Sequence, residues 1–204
     1  MNLWKFGEVG SWPYRVFDYL RNRLNIKLAD YLNGYISHRN GIIVIEAGSG
    51  PGFCASLLNK KNKMASVNIL DIDPEVIRLA RLRDCTINAM EGSIYDIPFP
   101  DNYFDLVYNS STLEHLDDCK EAFMEMVRVC KPGGFVFVGI PQSCGPLALF
   151  RLFPPNGKIC RWIGKFISQN EICGWIRVSP VELIDEISYF YRFFKGFLFQ
   201  KRPI

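Results

Sequence analysis

The segment from Gly41 to Gly52, GIIVIEAGSGPG, constrains the fold of this chain more than any other stretch. It opens with four consecutive aliphatic residues, which is typical of a strand covered on both faces of a parallel sheet. Glu46 follows, and then glycines at alternate positions, Gly48, Gly50 and Gly52. Because glycine lets the backbone turn sharply and approach a ligand closely, we predict a ligand-binding turn at the end of a buried first strand.

Strand-like and helix-like patterns alternate after this turn. Three helices are predicted after the turn. The first begins at Phe53, the second follows an N-cap at Asp73, and the third follows an N-cap at Asp117 or Asp118. The further predicted strands are Ser66–Leu70, Thr86–Met90, Phe104–Asn109 and Phe135–Ile140. Such alternation predicts an α/β fold with a doubly wound, mostly parallel, seven-stranded Rossmann-like sheet that carries helices on both faces.

We expect one domain over residues 1–204. Residues 1–40 would form an aromatic, helical cap, with Trp12 and Tyr14 as an alternative lid over the ligand. Residues 41–141 would form the ligand-binding core, 142–178 an insert, and 179–204 a closing helix and strands. The closing helix is predicted to start at Ser179-Pro180. The last two strands, 189–194 and 197–200, would form a hairpin that turns near Gly196.

The insert differs from the core in charge. The core has nine Lys/Arg against fourteen Asp/Glu, whereas the insert has five against one. An apolar stripe at helical spacing predicts an amphipathic helix, and its members are Ile159, Trp162, Ile163, Phe166 and Ile167. This helix is either a lid on its own domain or, through residues 147–167, a contact with a membrane surface or a partner. Apolar residues of the insert, Trp175 among them, indicate a hydrophobic ligand.

Composition excludes several kinds of site. The net charge is only +3, so we expect no nucleic-acid partner. The seven cysteines are scattered and there are only two histidines, a pattern that argues against a disulfide framework and a zinc site. We therefore expect no metal and a reducing, cytoplasmic location, with membrane association as the alternative.

Polar residues follow the predicted strand ends. Glu46, Asp71, Ser93 and Asn109 each come directly after or at the end of a strand. Since ligands of open parallel sheets bind outside the carboxyl ends of the strands, these side chains are expected to line one crevice.

The residue types narrow the ligand. Phe53 stands where a dinucleotide-binding turn has its third glycine, and no Gly-Lys-Ser/Thr ending follows. Glu46 would repel a pyrophosphate but suits an amine, while Asp71 suits the two hydroxyls of a ribose. A nucleoside with a cationic, amino-acid-like tail and no phosphate satisfies both residues. S-adenosyl-L-methionine has that description.

The motifs also carry a family resemblance. Four motifs follow one another over Gly41–Ile140: IIVIEAGSGPG, ILDIDPEVI, EGSIYDIPFPDNYFDLVYNSSTLEHL and RVCKPGG. Because of these motifs and their order, the chain resembles the class I S-adenosylmethionine-dependent methyltransferases, and in particular the subgroup similar to the ubiquinone/menaquinone-biosynthesis (type 11) enzymes.

The resemblance implies a set of cofactor contacts. The turn would meet the methionyl part, with Glu46 near its amino end. Asp71 would hold the ribose, and Asn109 would lie near the amino-acid tail or the methyl group. The remaining implied contacts are Gly48, Ser49, Gly50 and Gly52 in the turn, and Ile72, Ser93 and Ile94 around the adenine. For Ile72 and Ile94 the alternative is simple core packing. Many relatives carry an acid in place of Ser93.

The expected activity is transfer of a methyl group from S-adenosylmethionine to a small-molecule or lipid-like acceptor. His115 is the candidate general base by type and position, and its alternative role is to buttress the turn after the fourth strand. A non-catalytic, cofactor-binding subunit is the second hypothesis. Methylation of protein or RNA is a weaker third.

Overall fold

The computed structural model of this chain describes residues 12–142, 164–189 and 192–203. Within them the strands form one sheet of order β3-β2-β1-β4-β5-β7-β6. All are parallel except β7, which runs antiparallel to both of its neighbours. The strands are β1 (Ile43–Ala47), β2 (Ser66–Asp71), β3 (Asn88–Glu91), β4 (Phe104–Ser110), β5 (Cys130–Pro141), β6 (Val181–Tyr189) and β7 (Phe194–Lys201). The predicted mostly parallel, seven-stranded sheet is confirmed.

Helices cover both faces of the sheet. They are α1 (Trp12–Ile36), α2 (Phe53–Lys61), α3 (Pro74–Arg83), α4 (Cys119–Val129) and α5 (Gln169–Arg177), with a short 3-10 helix at Leu113–His115. The side chain of Asp73 accepts from the backbone N–H of Glu75 and caps α3, and Asp118 caps α4 by accepting from Glu121 N–H. Both caps were predicted from the sequence.

Alternation along β1 sorts the core into two layers. Val44 packs with α1 and α2 on one face of the sheet, and Ile45 and Ala47 pack with α4 and α5 on the other. Because successive strand side chains point to opposite faces, Glu46 shares the face of Val44 and lies beneath α2. This placement decides what Glu46 can contact.

The closing helix predicted at Ser179-Pro180 is wrong. Ser179 ends α5 instead, since its hydroxyl donates to the carbonyl of Trp175 at 2.8 Å. The chain then enters β6 at Val181, which pairs with Lys201 of β7. Local cap-like residues favoured a helix, but the partner strand β7 satisfies the backbone of this segment as a ladder, and tertiary pairing overrides local preference.

The predicted hairpin turn at Gly196 is also wrong. Gly196 lies inside β7 and pairs with Gly139 of β5 and Ile187 of β6. It is a glycine because the ring of Phe137 occupies the space that a Cβ would take. The chain reverses between β6 and β7, where Arg192 adopts φ +65°. Gly196 is therefore required for packing against Phe137 and not for a turn.

The insert is described only from Gly164 onward, so most of the predicted amphipathic stripe and of the 147–167 contact lies outside the described residues. Gly164–Ser168 is not helical, so the predicted helix does not include Phe166 and Ile167. Ile167 is buried in the core. Trp175 is buried too, with its ring 5.5 Å from that of Phe123, so it packs within the core of its own domain. No helix in the described ranges is long and apolar enough to span a bilayer.

The N-terminal cap is one helix, α1, where two helical stretches were predicted. Its C-terminal half is tied to the edge strand β6. Tyr31 and Tyr35 both donate to Oδ2 of Asp185, at 3.0 and 2.6 Å. The side chains of Trp12 and Tyr14, the alternative lid, lie outside the described part of the molecule.

Lys201 fixes the end of β7 to the C-terminus of α4. Its buried ammonium donates to the carbonyls of Val127 and Cys130 at 2.8 Å, to that of Arg128 at 3.3 Å, and to Oδ1 of Asn102 at 2.8 Å. A cation at a helix C-terminus satisfies free carbonyls and complements the helix dipole. Nothing in the local sequence distinguished this lysine from surface lysines.

Replacing Lys201 by Met should therefore lower the free energy of unfolding by roughly 1–3 kcal/mol, because buried carbonyls lose their donor. Urea denaturation measures the change. Lys63→Met, in the exposed loop between α2 and β2, is the matched control and should change stability little. Equal effects of the two substitutions would contradict the assigned role.

Candidate functional site

The turn after β1 is built on left-handed glycines. Gly48, Gly50 and Gly52 have φ of +71°, +53° and +66°. The N–H groups of Gly48 and Ser49 both donate to the carbonyl of Leu70, at 2.8 and 3.0 Å, so the turn is anchored on the end of β2. Residues with a Cβ adopt this backbone region at a cost, so the glycine spacing is a conformational requirement.

Asp71 joins the β1 turn to the loop after β2. Its Oδ2 accepts from the N–H of Gly50 at 2.8 Å and its Oδ1 from that of Asp73 at 3.0 Å. The residue is half-buried at the carboxyl edge of the sheet. Beside it, Ile72 is 74% exposed, so it is not a core residue. The structure thus places a carboxylate and an exposed apolar side chain next to each other at this edge.

Glu46 lies beneath the turn and is buried. Its Oε2 accepts from the hydroxyl of Tyr108 at 3.0 Å and from the N–H of Ala55 at 3.1 Å. Desolvation raises the pKa of Glu46 to about 8, against the two hydrogen bonds, which lower it. Burial therefore disfavours the charged form that the sequence predicted for Glu46. The carboxyl braces β4 and α2 against the turn.

Asn109 does not reach the crevice, contrary to the prediction. Its side chain is fully buried, and its Nδ2 donates to the carbonyl of Ala47 at 2.5 Å. Its Oδ1 accepts from the N–H groups of Thr112 and Leu113 at 3.3 and 3.4 Å. Both ends of the amide are used to hold the segment after β4 against the end of β1, because the strand register points this side chain inward.

Thr112 completes the contact between the two segments. Its hydroxyl donates to the carbonyl of Gly48 at 2.8 Å. A Cβ on Gly48 would lie 2.5 Å from Cγ2 of Thr112, so the two residues leave each other no spare room.

The loop after β3 sits at the same edge. The N–H of Gly92 donates to the carbonyl of Asp71 at 3.0 Å. The hydroxyl of Ser93 accepts from the N–H of Tyr95 at 3.1 Å and so stabilises its own turn. Ile94 is buried and packs in the core near Ile97, which matches the core-packing alternative rather than an open face for a ligand.

Glu114 and His115 end the 3-10 helix after β4. His115 is exposed to solvent, but partial desolvation of its ring lowers its pKa. Glu114 is only 2% exposed, and burial raises its pKa to about 8. Its Oε1 accepts from the hydroxyl of Ser111 at 2.5 Å, while Oε2 is buried and has no hydrogen-bond partner among the described residues.

Sequence reasoning missed Tyr108, Thr112, Ser111 and the buried state of Glu114. Tyr108 lies opposite Glu46 in the β1–β4 register, which the sequence does not specify. For Glu114 the local sequence contains no signal of burial, since it lies in the polar segment SSTLEHLDD. In the described part of the chain, no three His, Cys, Asp or Glu side chains are grouped closely enough to hold a metal ion.

Comparison with known proteins agrees with this geometry. Residues 45–138 match the family model described as a methyltransferase domain. The resemblance is therefore confirmed, and this core of the chain is a class I S-adenosylmethionine-dependent methyltransferase domain.

Two curated relatives illustrate the extent of the similarity. A probable S-adenosylmethionine-dependent methyltransferase of Mycolicibacterium smegmatis is 34% identical over 108 residues, which cover 52% of this chain and 41% of that protein. The ubiquinone biosynthesis O-methyltransferase of Xylella fastidiosa is 29% identical over 178 residues, covering 79% and 69%. For several other curated relatives this chain spans less than half of their length.

Among solved structures, a putative methyltransferase of Haloferax volcanii in complex with the Trm112 methyltransferase activator superposes with a TM-score of 0.74 at 16% identity, over 93% of this chain and 94% of that one. The likeness shows a shared fold.

The residues present fit the family cofactor, S-adenosylmethionine. A half-buried carboxylate at Asp71, an exposed apolar side chain at Ile72 and a turn of three left-handed glycines stand at one sheet edge. The carboxylate suits a ribose, the apolar side chain suits an adenine, and the glycine turn suits a chain of methylene groups.

Gly48→Ala should destabilise the protein more than Gly41→Ala, by roughly 1–3 kcal/mol. Both glycines have a left-handed φ, +71° and +65°, but only at Gly48 does a Cβ meet a neighbour. Thermal unfolding compares the two. Adding Thr112→Ser to Gly48→Ala removes the clashing methyl group and should restore part of the loss; no rescue would contradict the assigned clash.

Stability should fall as pH rises from about 5 to 8. The pKa of Glu46 is about 8 in the fold and 4.5 as its ordinary value, so the native protein keeps a proton that the unfolded chain releases in this interval. Glu46→Gln should reduce the slope by up to about 1.4 kcal/mol per pH unit. Denaturation in a pH series measures it, with exposed Glu182→Gln as the control. An unchanged slope in Glu46→Gln would contradict the assignment.

Proposed function

We propose that the protein transfers a methyl group from S-adenosylmethionine to a small-molecule or lipid-like acceptor. The proposal rests on one hydrogen bond, from the N–H of Gly50 to Oδ2 of Asp71 at 2.8 Å. This bond holds the carboxylate that would bind the ribose against the glycine turn. The exposed Ile72 adds an apolar face beside them.

In this proposal each residue at the edge holds one part of the cofactor. Asp71 keeps acceptor capacity for the ribose hydroxyls beyond its two backbone bonds, since a carboxylate has about four lone-pair positions. Ile72 lies against the adenine. The glycine turn lets the backbone approach the methionyl part, and a cationic amino group near Glu46 would favour the charged form of that carboxyl.

The cofactor supplies an electrophilic methyl group on a sulfonium, and the protein aligns the acceptor and excludes water. In this proposal the segment after β4 lies beside the acceptor. Support comes from its attachment to the cofactor turn, since Thr112 donates to the carbonyl of Gly48 and Asn109 to that of Ala47.

The acceptor class draws support from a relative and from the insert. The Xylella fastidiosa relative is named as a ubiquinone biosynthesis O-methyltransferase. The insert of this chain is basic and apolar in composition. We propose that it forms part of the acceptor site and contacts a membrane surface.

Asp71→Asn should weaken S-adenosylmethionine binding by about tenfold or more, equivalent to ~1.4 kcal/mol, because the amide keeps one acceptor but loses the charge that favours two hydroxyl donors. Isothermal titration calorimetry measures the affinity. Asp73→Asn is the matched control, since Asn caps a helix as well as Asp does. Equal affinities in the wild type and Asp71→Asn would contradict the ribose role.

Methyl transfer itself is tested by incubating the wild type with methyl-labelled cofactor and fractionated cell extract. Label in a small-molecule or lipid fraction is the expected result. Cofactor binding without transfer to any fraction would support the non-catalytic subunit instead, and label in protein or RNA would overturn the acceptor class.

A further inference from the structure

The loop after β3 brings Ser93 to the part of the sheet edge where the base of the cofactor would lie. The N–H of Gly92 donates to the carbonyl of Asp71 at 3.0 Å, so this loop is fixed beside the carboxylate assigned to the ribose. Ile72 is 74% exposed, and Ser93 is partly exposed, so both can be reached from solvent. Because β3 is the next strand beyond β2, a base that lies on Ile72 would present its far edge to Ser93.

The hydroxyl of Ser93 uses only part of its hydrogen-bonding capacity. Its Oγ accepts from the N–H of Tyr95 at 3.1 Å, and this is the only hydrogen bond that it makes with the described residues. A hydroxyl has one O–H donor and two acceptor lone pairs. One lone pair and the proton of Ser93 are therefore available to a ligand.

The character of this available group is not fixed. The proton of a hydroxyl rotates to suit its partner, so Ser93 can accept from an N–H group or donate to a carbonyl. Position 6 of a purine carries an amino group in adenine and a carbonyl in hypoxanthine. A serine hydroxyl can form a hydrogen bond with either, whereas a carboxylate can only accept from the amino group.

Resting on the proposed function, we propose that the Ser93 hydroxyl contacts position 6 of the purine ring and determines how strongly the site distinguishes a 6-amino from a 6-oxo purine. Because it both donates and accepts, it distinguishes the two less than a group of fixed character does. Ser93 is thus a specificity-determining residue of the cofactor site, and the ligands concerned are purine nucleosides with an amino-acid tail.

The turn at Ser93 allows the character of this group to be fixed in either direction. The side-chain oxygen of Asp or Asn accepts from the N–H two residues on, as the Ser93 hydroxyl does from Tyr95. In Ser93→Asp the second oxygen then faces the base as a charged acceptor. In Ser93→Asn the NH₂ group faces the base as a donor. The two variants have nearly the same shape, so they differ mainly in what they offer the base.

The test compares S-adenosylhomocysteine, the demethylated cofactor, with S-inosylhomocysteine, which has a carbonyl at position 6. Isothermal titration calorimetry at neutral pH gives the ratio of the two affinities. Ser93→Asp should raise the preference for the adenine ligand by about tenfold or more, because the amino group donates to the charge and the carbonyl is repelled. Ser93→Asn should lower this preference by about fivefold, because its donor suits the carbonyl.

Ser37→Asp is the matched control. It adds the same charge at an exposed position after α1, near the amino end of β1 and away from the cofactor edge. The ratio of affinities should stay at the wild-type value in this variant. A weaker hold on both ligands, caused by a new charge near Asp71 or by a shifted loop, cancels in the ratio, so a merely structural role of Ser93 would not change it.

The two variants make opposite predictions, and each decides without the other if one of them fails to fold. A ratio equal to that of the wild type in a folded Ser93→Asp or Ser93→Asn protein would overturn the proposal, as would a shift in the direction opposite to the one expected. Failure of the proposed function has a different result, because the wild type would then not bind S-adenosylhomocysteine at all.

Discussion

The carboxylate of Asp71 is the interaction on which the candidate site depends. One oxygen holds the N–H of Gly50 and the other that of Asp73, so a single side chain joins the turn after β1 to the loop after β2. A charged acceptor strengthens both bonds. The left-handed glycines would otherwise leave the turn loosely held, because glycine restricts the backbone least.

Two buried carboxyls show how similar pKa values arise with different consequences. Burial raises the pKa of both Glu46 and Glu114 to about 8. Glu46 is braced by Tyr108 and the backbone of Ala55, so its main effect is to hold β4 and α2 beneath the turn. Glu114 keeps one buried oxygen without a hydrogen-bond partner among the described residues. Hydrogen-bond satisfaction, more than charge, distinguishes the two buried acids.

Sequence reasoning was most successful where a residue acts on its own neighbours. The Asp73 and Asp118 caps, the buried first strand and the glycine turn all follow from interactions within a few residues, and the structure has each of them. It failed where a distant partner decides. Gly196 looked like a turn but makes room for Phe137, and Asn109 looked like a ligand contact but binds the carbonyl of Ala47. Those partners are set by strand register, which no local pattern contains.

The sequence by itself determined the class of fold, the position of the turn and the kind of cofactor, because periodicity, glycine spacing and charge are local properties of the chain. Only the tertiary structure decided which polar residues are free. It placed Tyr108 opposite Glu46, turned Asn109 inward and buried Glu114 with one oxygen that has no partner in the described part of the chain. The physical reason is desolvation: whether a polar group is ionised and available depends on every segment packed around it, and those segments come from distant parts of the chain.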